Sequence, residues 1–310
     1  MTEFAIRTEN LTRSFGTVQA VDKLTVEVPS GIIFGFLGPN GAGKTTTIHL
    51  LLGLLEPTDG QAKVLGFDTQ TQADEIRQRT GVLLEHSGLY ERLSAEDNLE
   101  FYGRIWHLPP PTRKSRTKEL LDHLCLWERR KETVWTWSRG MKQKLAVARA
   151  LLHRPSLVFL DEPTAGLDPV AATSLRRDLA VLSSREGVTV FLTTHNLAEA
   201  EQLCHQVGVI REGKLVAVGC PNELWARNDA PRVEIAGHGF SEKLLVLLRD
   251  RPEVTATDVQ DSRLLIDLRG DVSIAPLISL IVGSGASVEE IHRDEADLEE
   301  FFLTLMEAEN

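Results

Sequence analysis

The pattern of apolar and polar positions predicts strands first and helices later in the chain. Residues 5–28 alternate short apolar stretches with turns such as Phe15-Gly16-Thr17, which is typical of an antiparallel sheet. An apolar strand at 32–37 then leads into a glycine-containing loop and an apolar helix at about 44–55. From 94 to about 152 the pattern is mainly helical, beginning at the capping sequence Ser94-Ala95-Glu96-Asp97. We therefore predict an antiparallel β subdomain and, at about 86–152, a helical subdomain.

Two later runs are apolar at almost every position. They span residues 157–160 and 188–192, and a helical pattern follows each run. Strands that are apolar on both faces and alternate with helices are typical of a parallel sheet covered on both sides. The predicted fold class is therefore α/β.

The order of elements starts again after Asn228-Asp229-Ala230-Pro231. A hairpin at 207–218, turning at Glu212-Gly213, and a helix from Pro221 precede this point. Beyond it the pattern predicts strands at 233–236, 254–259, 263–268 and 288–292, helices from Ser241 and Ile274, and a final helix from Leu298. This order is compatible with a small α+β, ferredoxin-like βαββαβ unit. We predict two domains, 1–228 and 229–310.

The composition is that of an ordinary folded protein and excludes several classes. Hydrophobic residues make up 42% and charged residues 25% of the 310 positions, which disfavours disorder and disulfide scaffolds. The net charge of −11 would repel a polyphosphate backbone, so no nucleic-acid partner is expected. The three cysteines show no CxxC spacing, which predicts a reducing, cytoplasmic compartment and no zinc site. Since no run of eighteen apolar residues occurs, we do not expect the chain to span a membrane.

A phosphate-binding loop stands between the strand at 32–37 and the following helix. Gly38-Pro39-Asn40-Gly41-Ala42-Gly43-Lys44-Thr45-Thr46 matches G-x-x-x-x-G-K-[ST] in that context. Glycines let backbone N–H groups turn inward, and the helix N-terminus adds partial positive charge. Lys44 would hold the β- and γ-phosphates, and Thr45 would ligate Mg²⁺. The predicted ATP-binding residues of the loop are Asn40, Gly41, Ala42, Gly43, Lys44, Thr45 and Thr46, although the loop alone indicates only a nucleoside triphosphate.

Two acidic residues, Asp161 and Glu162, follow the apolar strand at 157–160. Ligands bind at the carboxyl ends of strands in open α/β sheets. Asp161 is therefore a candidate Mg²⁺ ligand and Glu162 a candidate general base for the attacking water. Acidic residues that end a strand can also form a solvated edge, but the upstream phosphate loop favours the functional interpretation.

The sequence Trp137-Ser138-Arg139-Gly140-Met141-Lys142-Gln143 resembles the Leu-Ser-Gly-Gly-Gln signature of the ABC ATPase family. It is similar to the variant form common among ABC-2 type drug and antibiotic exporters. The resemblance covers roughly residues 4–225 and implies a P-loop NTPase core that works as a dimer. It also implies that Ser138 and Gly140 bind the γ-phosphate held by the opposite chain, while Arg139 and Met141 depart from the consensus.

Further motifs extend this resemblance. The sequence at 163–169 resembles the family's D-loop, which implies a contact of Asp168 across the dimer, although Asp168-Pro169 also predicts a helix N-cap. His195 matches the switch histidine, which contacts the γ-phosphate. Phe15 matches the aromatic residue that stacks on adenine, although aromatics in sheets are usually core residues. Glu85 replaces the glutamine of the family's Q-loop and can still ligate Mg²⁺.

Three tryptophans lie in the predicted helical subdomain: Trp106, Trp127 and Trp135. We expect them to be core residues. Any that is exposed becomes a candidate for the groove that receives a helix of a membrane partner.

The resemblance implies the ATPase subunit of an exporter of a drug, antibiotic or lipid-like substrate. Catalysis would rest on Lys44, Glu162 and His195, with ATP and Mg²⁺ bound. The implied partners are a membrane-spanning ABC-2 type permease and a second, identical or different, ATPase chain, at the cytoplasmic face of the cell membrane. The carboxy-terminal segment resembles the C-terminal domain of drug-resistance and sodium-export ATPases.

Two other functions stay open at this point. One is an import ATPase with a C-terminal regulatory domain, which the variant signature and Glu85 disfavour. The other is a soluble ABC protein that acts on ribosomes or DNA. A single ATPase cassette without sustained heptads, together with the acidic charge, disfavours that second function.

Overall fold

The computed structural model describes residues 3–84, 86–226, 232–260, 263–269 and 272–294. The chain divides into two compact units, Met1–Pro221 and Asn222–Asn310. The predicted domain boundary at residue 228 lies outside the described residues and stays a prediction. Within the described residues, no helix combines the length and apolar character needed to cross a bilayer.

The first unit contains an antiparallel sheet, as the amino-terminal alternation predicts. Its strands are β1 (Phe4–Phe15), β2 (Val18–Leu24), β3 (Glu27–Pro29), β5 (Asp59–Val64) and β6 (Phe67–Asp68). β1 pairs with β2, β3 and β5, and each pairing is antiparallel. The turn at Gly16, where φ is +60°, joins β1 to β2.

A six-stranded sheet forms the centre of this unit. Its strands are β4 (Ile33–Leu37), β7 (Thr80–Leu83), β8 (Leu157–Asp161), β9 (Thr189–Thr194), β10 (Gln206–Arg211) and β11 (Lys214–Gly219). They lie in the order β11-β10-β4-β9-β8-β7, and only the β10–β11 pair is antiparallel. Every residue of β4, β8 and β9 is buried, which confirms the predicted parallel sheet. The carboxyl ends of β4, β8 and β9 therefore meet at one edge.

Helices connect these strands. They are α1 (Lys44–Leu51), α2 (Ala73–Arg79), α3 (Ala95–Ile105), α4 (Pro110–His123), α5 (Arg139–Leu151), α6 (Pro169–Glu186) and α7 (Leu197–Leu203). A further helix, α8 (Pro221–Ala226), begins at the last residue of this unit. The prediction that α1 continues to residue 55 is wrong. Gly53 follows the helix at φ +62°, where a Cβ would lie 2.5 Å from the Thr69 carbonyl oxygen, so the chain turns there.

Ser94 begins α3 as predicted. Its hydroxyl accepts a hydrogen bond of 3.1 Å from the backbone N–H of Asp97, which is the N-cap geometry. α3, α4 and α5 lie in the stretch where the pattern predicts helices, and α4 and α5 pack against each other.

A buried arginine connects α4 and α5 to α6, the helix between β8 and β9. Arg116 of α4 is 2% exposed. Its guanidinium donates to Glu186 at 2.6 Å, to Glu119 at 3.0 Å and to the Leu151 carbonyl at 2.9 Å. One side chain therefore joins α4, α5 and α6, with its charge compensated by two carboxylates.

We expect Arg116→Met to lower the free energy of unfolding by about 3 kcal/mol, the lower end for a broken buried pair, because the largely buried carboxylate of Glu186 would keep its charge without a cation. Urea denaturation followed by circular dichroism measures the change. The matched control is Arg154→Met, since Arg154 pairs with Glu119 from a side chain that is 64% exposed. Equal stability of the Arg116 variant and the wild type would contradict this role.

The strands and helices of the second unit follow one another in the predicted order. Its elements are β12 (Arg232–His238), α9 (Glu242–Arg249), β13 (Val254–Gln260), β14 (Arg263–Leu268), α10 (Ala275–Gly283) and β15 (Ser287–Asp294). The sheet order is β13-β14-β12-β15, with every pairing antiparallel. This is the ferredoxin-like arrangement that the βαββαβ order predicts. The predicted helix from Leu298 lies outside the described residues.

Candidate functional site

The loop between β4 and α1 has a backbone that only glycine accommodates at two positions. Gly41 and Gly43 adopt φ values of +84° and +104°, in the left-handed region that L-residues avoid. A Cβ on Gly43 would also lie 2.2 Å from the Ala20 carbonyl oxygen. The loop therefore packs closely against β2 and leads into the N-terminus of α1, and the first backbone N–H groups of a helix attract anions.

Lys44, the first residue of α1, directs its charge into this loop. Its side chain is 6% exposed, and its ammonium donates to the carbonyl oxygens of Gly38 at 2.7 Å and Pro39 at 3.2 Å. Its Nζ also lies 3.1 Å from Glu162 Oε1. The cation is thus held against the loop, beside the acidic end of β8.

A cavity of about 200 Å³ opens at this point, and most of the residues predicted to bind ATP line it. They are Asn40, Gly41, Gly43, Lys44, Thr45 and Thr46, joined by Asp161, Glu162 and Ala20. Ala42 is placed differently, because its side chain is 3% exposed in the core. Ala20 was not predicted, since a small apolar residue on a strand carries no chemical signal.

Asp161 ends β8 with both carboxylate oxygens occupied. The Thr45 hydroxyl donates to Oδ2 at 2.8 Å, and the Thr193 hydroxyl donates to Oδ1 at 2.5 Å. A hydroxyl and a carboxylate side by side are the hard oxygen donors that Mg²⁺ prefers, so these residues fit the predicted ion. The third predicted ligand, Glu85, lies outside the described residues.

Glu162 occupies the centre of the site in a strained backbone conformation. Its φ is +49°, which is uncommon for a residue with a side chain. Its backbone N–H donates to the Thr193 hydroxyl at 3.1 Å. One carboxylate oxygen contacts Lys44, and the other lies 2.9 Å from His195 Nδ1. The structure therefore brings the three predicted catalytic residues together.

Ser138, Gly140 and Asp168 form a second cluster, and none of them lines the phosphate cavity. Ser138 caps α5 by accepting from Met141 N at 3.3 Å, and Asp168 caps α6 by accepting from Ala171 N at 2.9 Å. A Cβ on Gly140 would lie 2.9 Å from the Ala171 side chain. The N-termini of α5 and α6 are therefore neighbours.

Phe15 ends β1 and is 46% exposed. The Arg13 guanidinium lies over its ring, 4.6 Å from the ring centre. Arg13 thus covers one face of the ring, and Phe15 does not line the phosphate cavity, so its stacking on adenine stays a prediction.

The tryptophans differ from one another in environment. Trp106 is half-buried and stacks on His153, with ring centres 3.7 Å apart. Trp127 is half-buried beneath the Arg130 guanidinium, 4.0 Å from its ring centre. The expectation that Trp135 is a core residue is wrong, because this side chain is 71% exposed and lies within a short 3₁₀ turn, Val134–Thr136.

Trp106 and His153 also line a separate cavity of about 270 Å³, which includes Leu52, Leu54, Arg77 and Arg149. Burial lowers the pKa of His153 to about 4, so the imidazole is neutral at physiological pH. The Arg149 guanidinium donates to the Val82 carbonyl at 2.7 Å. The cavity therefore combines apolar walls with two arginines.

The sequence interpretation missed Thr164, Thr193, Thr194 and Glu199. Thr193 bridges Asp161 and the Glu162 backbone. Glu199 is fully buried and accepts from the hydroxyls of Thr164 and Thr194. Burial raises the pKa of Glu199. The only local signal, a carboxylate in the first turn of a helix, is also typical of an ordinary helix N-terminus.

Comparisons with known proteins identify similar chains. The family model described as ABC transporter matches residues 21–165. The chain is 36% identical to the bacitracin transport ATP-binding protein BcrA of Bacillus licheniformis, with 97% of each chain covered. It is 31% identical to the linearmycin resistance ATP-binding protein LnrL of Bacillus subtilis (strain 168), again with 97% of each covered.

The fold also matches a solved structure, that of cbiO1 from Clostridium perfringens, part of the ABC transporter complex cbiONQ. The TM-score is 0.68 at 22% identity, over 81% of this chain and 96% of that one. At this identity the likeness shows a shared fold.

Proposed function

Since this chain belongs to the ABC transporter family of ATP-binding proteins, we propose that it powers export of a drug, an antibiotic or a lipid-like molecule. ATP hydrolysis is the activity of the family, and the transported molecule would pass through a separate membrane-spanning partner. The names of the relatives, bacitracin transport and linearmycin resistance, support this substrate class. The observation that carries the hydrolytic part of this proposal is the position of the Glu162 carboxylate, which lies between Lys44 and His195.

The proposed hydrolysis relies on position and charge. The loop N–H groups and Lys44 bind the β- and γ-phosphates, and Glu162 accepts a proton from the attacking water. His195 orients Glu162 through the 2.9 Å contact and would contact the γ-phosphate. Thr45 and Asp161 would hold Mg²⁺, with Glu85 as a further predicted ligand, and the ion would supply positive charge to the phosphates.

We also propose that two ATPase chains, identical or different, share each ATP. Ser138, Gly140 and Asp168 lie at two adjacent helix N-termini, apart from the phosphate cavity of their own chain. The first turn of α5 contains no acidic residue, so the helix N-terminus favours an anion. These contacts support a role for the cluster at the γ-phosphate of a second chain.

The cavity at Trp106 is the proposed contact with the permease, which we propose to be of the ABC-2 type at the cytoplasmic face of the membrane. Leu52, Leu54 and Trp106 supply apolar surface, Arg149 supplies positive charge, and Arg77 is paired with Asp74. Such a site suits a short amphipathic helix with an acidic side chain. Trp135 is exposed but does not line this cavity.

Affinity purification from detergent-solubilised membranes tests the function. We expect the tagged wild type to recover a membrane protein with several spanning helices. Trp106→Ala should reduce that recovery about tenfold, because buried aromatic anchors dominate interfaces. Trp135→Ala is the matched control, since this ring lies off the cavity, and it should recover the partner normally. Recovery of ribosomes in place of a membrane protein would overturn the proposal.

A further inference from the structure

A buried carboxylate with no role in the proposed hydrolysis lies behind the catalytic residues. Glu199, in the first turn of α7, is 0% exposed. Its Oε1 accepts from the Thr164 hydroxyl at 2.8 Å, and its Oε2 accepts from the Thr194 hydroxyl at 2.6 Å. Each oxygen of this carboxylate therefore accepts a hydrogen bond from a threonine hydroxyl.

These two threonines flank the residues proposed to do the chemistry. Thr164 lies two positions after Glu162, and Thr194 immediately precedes His195. Glu162 and His195 themselves are 2.9 Å apart. The carboxylate of Glu199 thus joins, from the buried side, the same two chain segments that meet at the catalytic contact.

The network continues into the backbone of α7. The Thr194 hydroxyl also accepts from Asn196 N at 3.0 Å, and Asn196 caps α7 by accepting from Glu199 N at 3.0 Å. The loop that carries His195 is therefore hydrogen-bonded at both of its ends. A loop held in this way keeps a single geometry.

Filling a buried position with a carboxylate has an energetic cost. Removing the charge from water is unfavourable, and burial accordingly raises the pKa of Glu199. The neighbouring inward positions of α7, Ala200 and Leu203, are apolar, and an apolar residue would also satisfy packing. What the carboxylate adds is the pair of hydroxyl contacts. Glu162, strained at φ +49°, is the residue that such support would stabilise.

We propose that Glu199 is a positioning residue for ATP hydrolysis, which fixes the distance between Glu162 and His195 through Thr164 and Thr194. This inference rests on the proposed function and deepens it. Thr164 also belongs to the segment that ends at Asp168, the N-cap of α6. The same carboxylate therefore links the proposed dimer contact to the segment that carries His195.

Steady-state ATP hydrolysis by the full-length chain tests this role. Glu199→Ala should lower kcat by about 10–100-fold, since small displacements of catalytic groups are that costly. KM for ATP should stay within about threefold of the wild type, because the phosphate loop is untouched. Glu199→Gln keeps the side-chain shape, and its amide can accept from one threonine hydroxyl and donate to the oxygen of the other, so it should restore kcat to within about threefold of the wild type. Glu201→Ala, an exposed change on the same helix, is the matched control.

A double-mutant cycle separates positioning from general stability. Thr164→Val and Thr194→Val keep the side-chain shape and should each lower kcat. Combining Thr164→Val with Glu199→Ala should add no further loss, because the shared hydrogen bond is already gone. If Glu199→Ala does not fold, the cycle is built from Thr164→Val and Thr194→Val. Their combined loss of kcat should then be smaller than the product of the two single losses.

Retention of wild-type kcat in Glu199→Ala, a change in KM alone, or fully additive losses in the cycle would overturn the inference. Failure of the proposed function has a different signature. In that case the wild type shows no ATP hydrolysis, or Glu162→Gln hydrolyses ATP as fast as the wild type.

Discussion

Replacing Glu162 with glutamine is expected to preserve ATP binding and to lower the rate of hydrolysis by about 10²- to 10⁴-fold, the usual contribution of a general base. Glutamine keeps the shape of the side chain but cannot accept the proton of the attacking water. It also removes the carboxylate that contacts Lys44 at 3.1 Å. Lys44 then remains bonded to the Gly38 and Pro39 carbonyls and faces the phosphates without an anionic competitor.

Phosphate release measures hydrolysis, and titration with a fluorescent ATP analogue measures affinity. We expect the affinity of Glu162→Gln to equal or exceed that of the wild type. Glu201→Gln, an exposed carboxylate outside the site, serves as the control and should hydrolyse ATP normally. Wild-type turnover in Glu162→Gln would refute its assignment as the base.

Replacing Ser138 with arginine, in the Glu162→Gln background, is expected to weaken the ATP-dependent dimer by more than about 100-fold. The Glu162→Gln chain should accumulate ATP and form this dimer. Ser138 stands at the exposed N-terminus of α5, where an arginine would replace the small hydroxyl with a long cationic side chain. The phosphate loop is unchanged, so each chain should still bind ATP.

Analytical ultracentrifugation with ATP and Mg²⁺ measures the dimer. Ser94→Arg is the matched control, because Ser94 caps α3 with the same serine-to-backbone bond, and its loss should leave dimerisation intact. A dimer of unchanged affinity in the Ser138 variant would contradict the shared site. If the Glu162→Gln chain stays monomeric with ATP, its partner is a different ATPase chain.

Local sequence signals accounted for most of the elements. Ser94 and Ser138 cap helices where serine precedes a helical pattern, because an N-cap needs only a side chain and the backbone three residues on. The all-apolar runs became the buried strands β8 and β9, because a strand that is apolar on both faces suits a sheet covered on both sides. The predicted end of α1 was wrong because the leucines that continue to residue 55 have high helix propensity. The helix ends earlier because the chain turns at Gly53, which packs closely against the Thr69 carbonyl.

The sequence by itself determined the residue types of the chemistry: the phosphate loop, the acidic end of β8 and His195 form motifs whose spacing is local. Only the tertiary structure decided how they meet. Glu162 and His195 lie 33 positions apart, Thr164 and Glu199 lie 35 apart, and Arg116 and Glu186 lie 70 apart. Such contacts depend on which strands become neighbours in the sheet and on which charged side chains are buried. Periodicity reports the faces of single elements, so the burial of Glu199 and Arg116 and the exposure of Trp135 arise only when those elements pack.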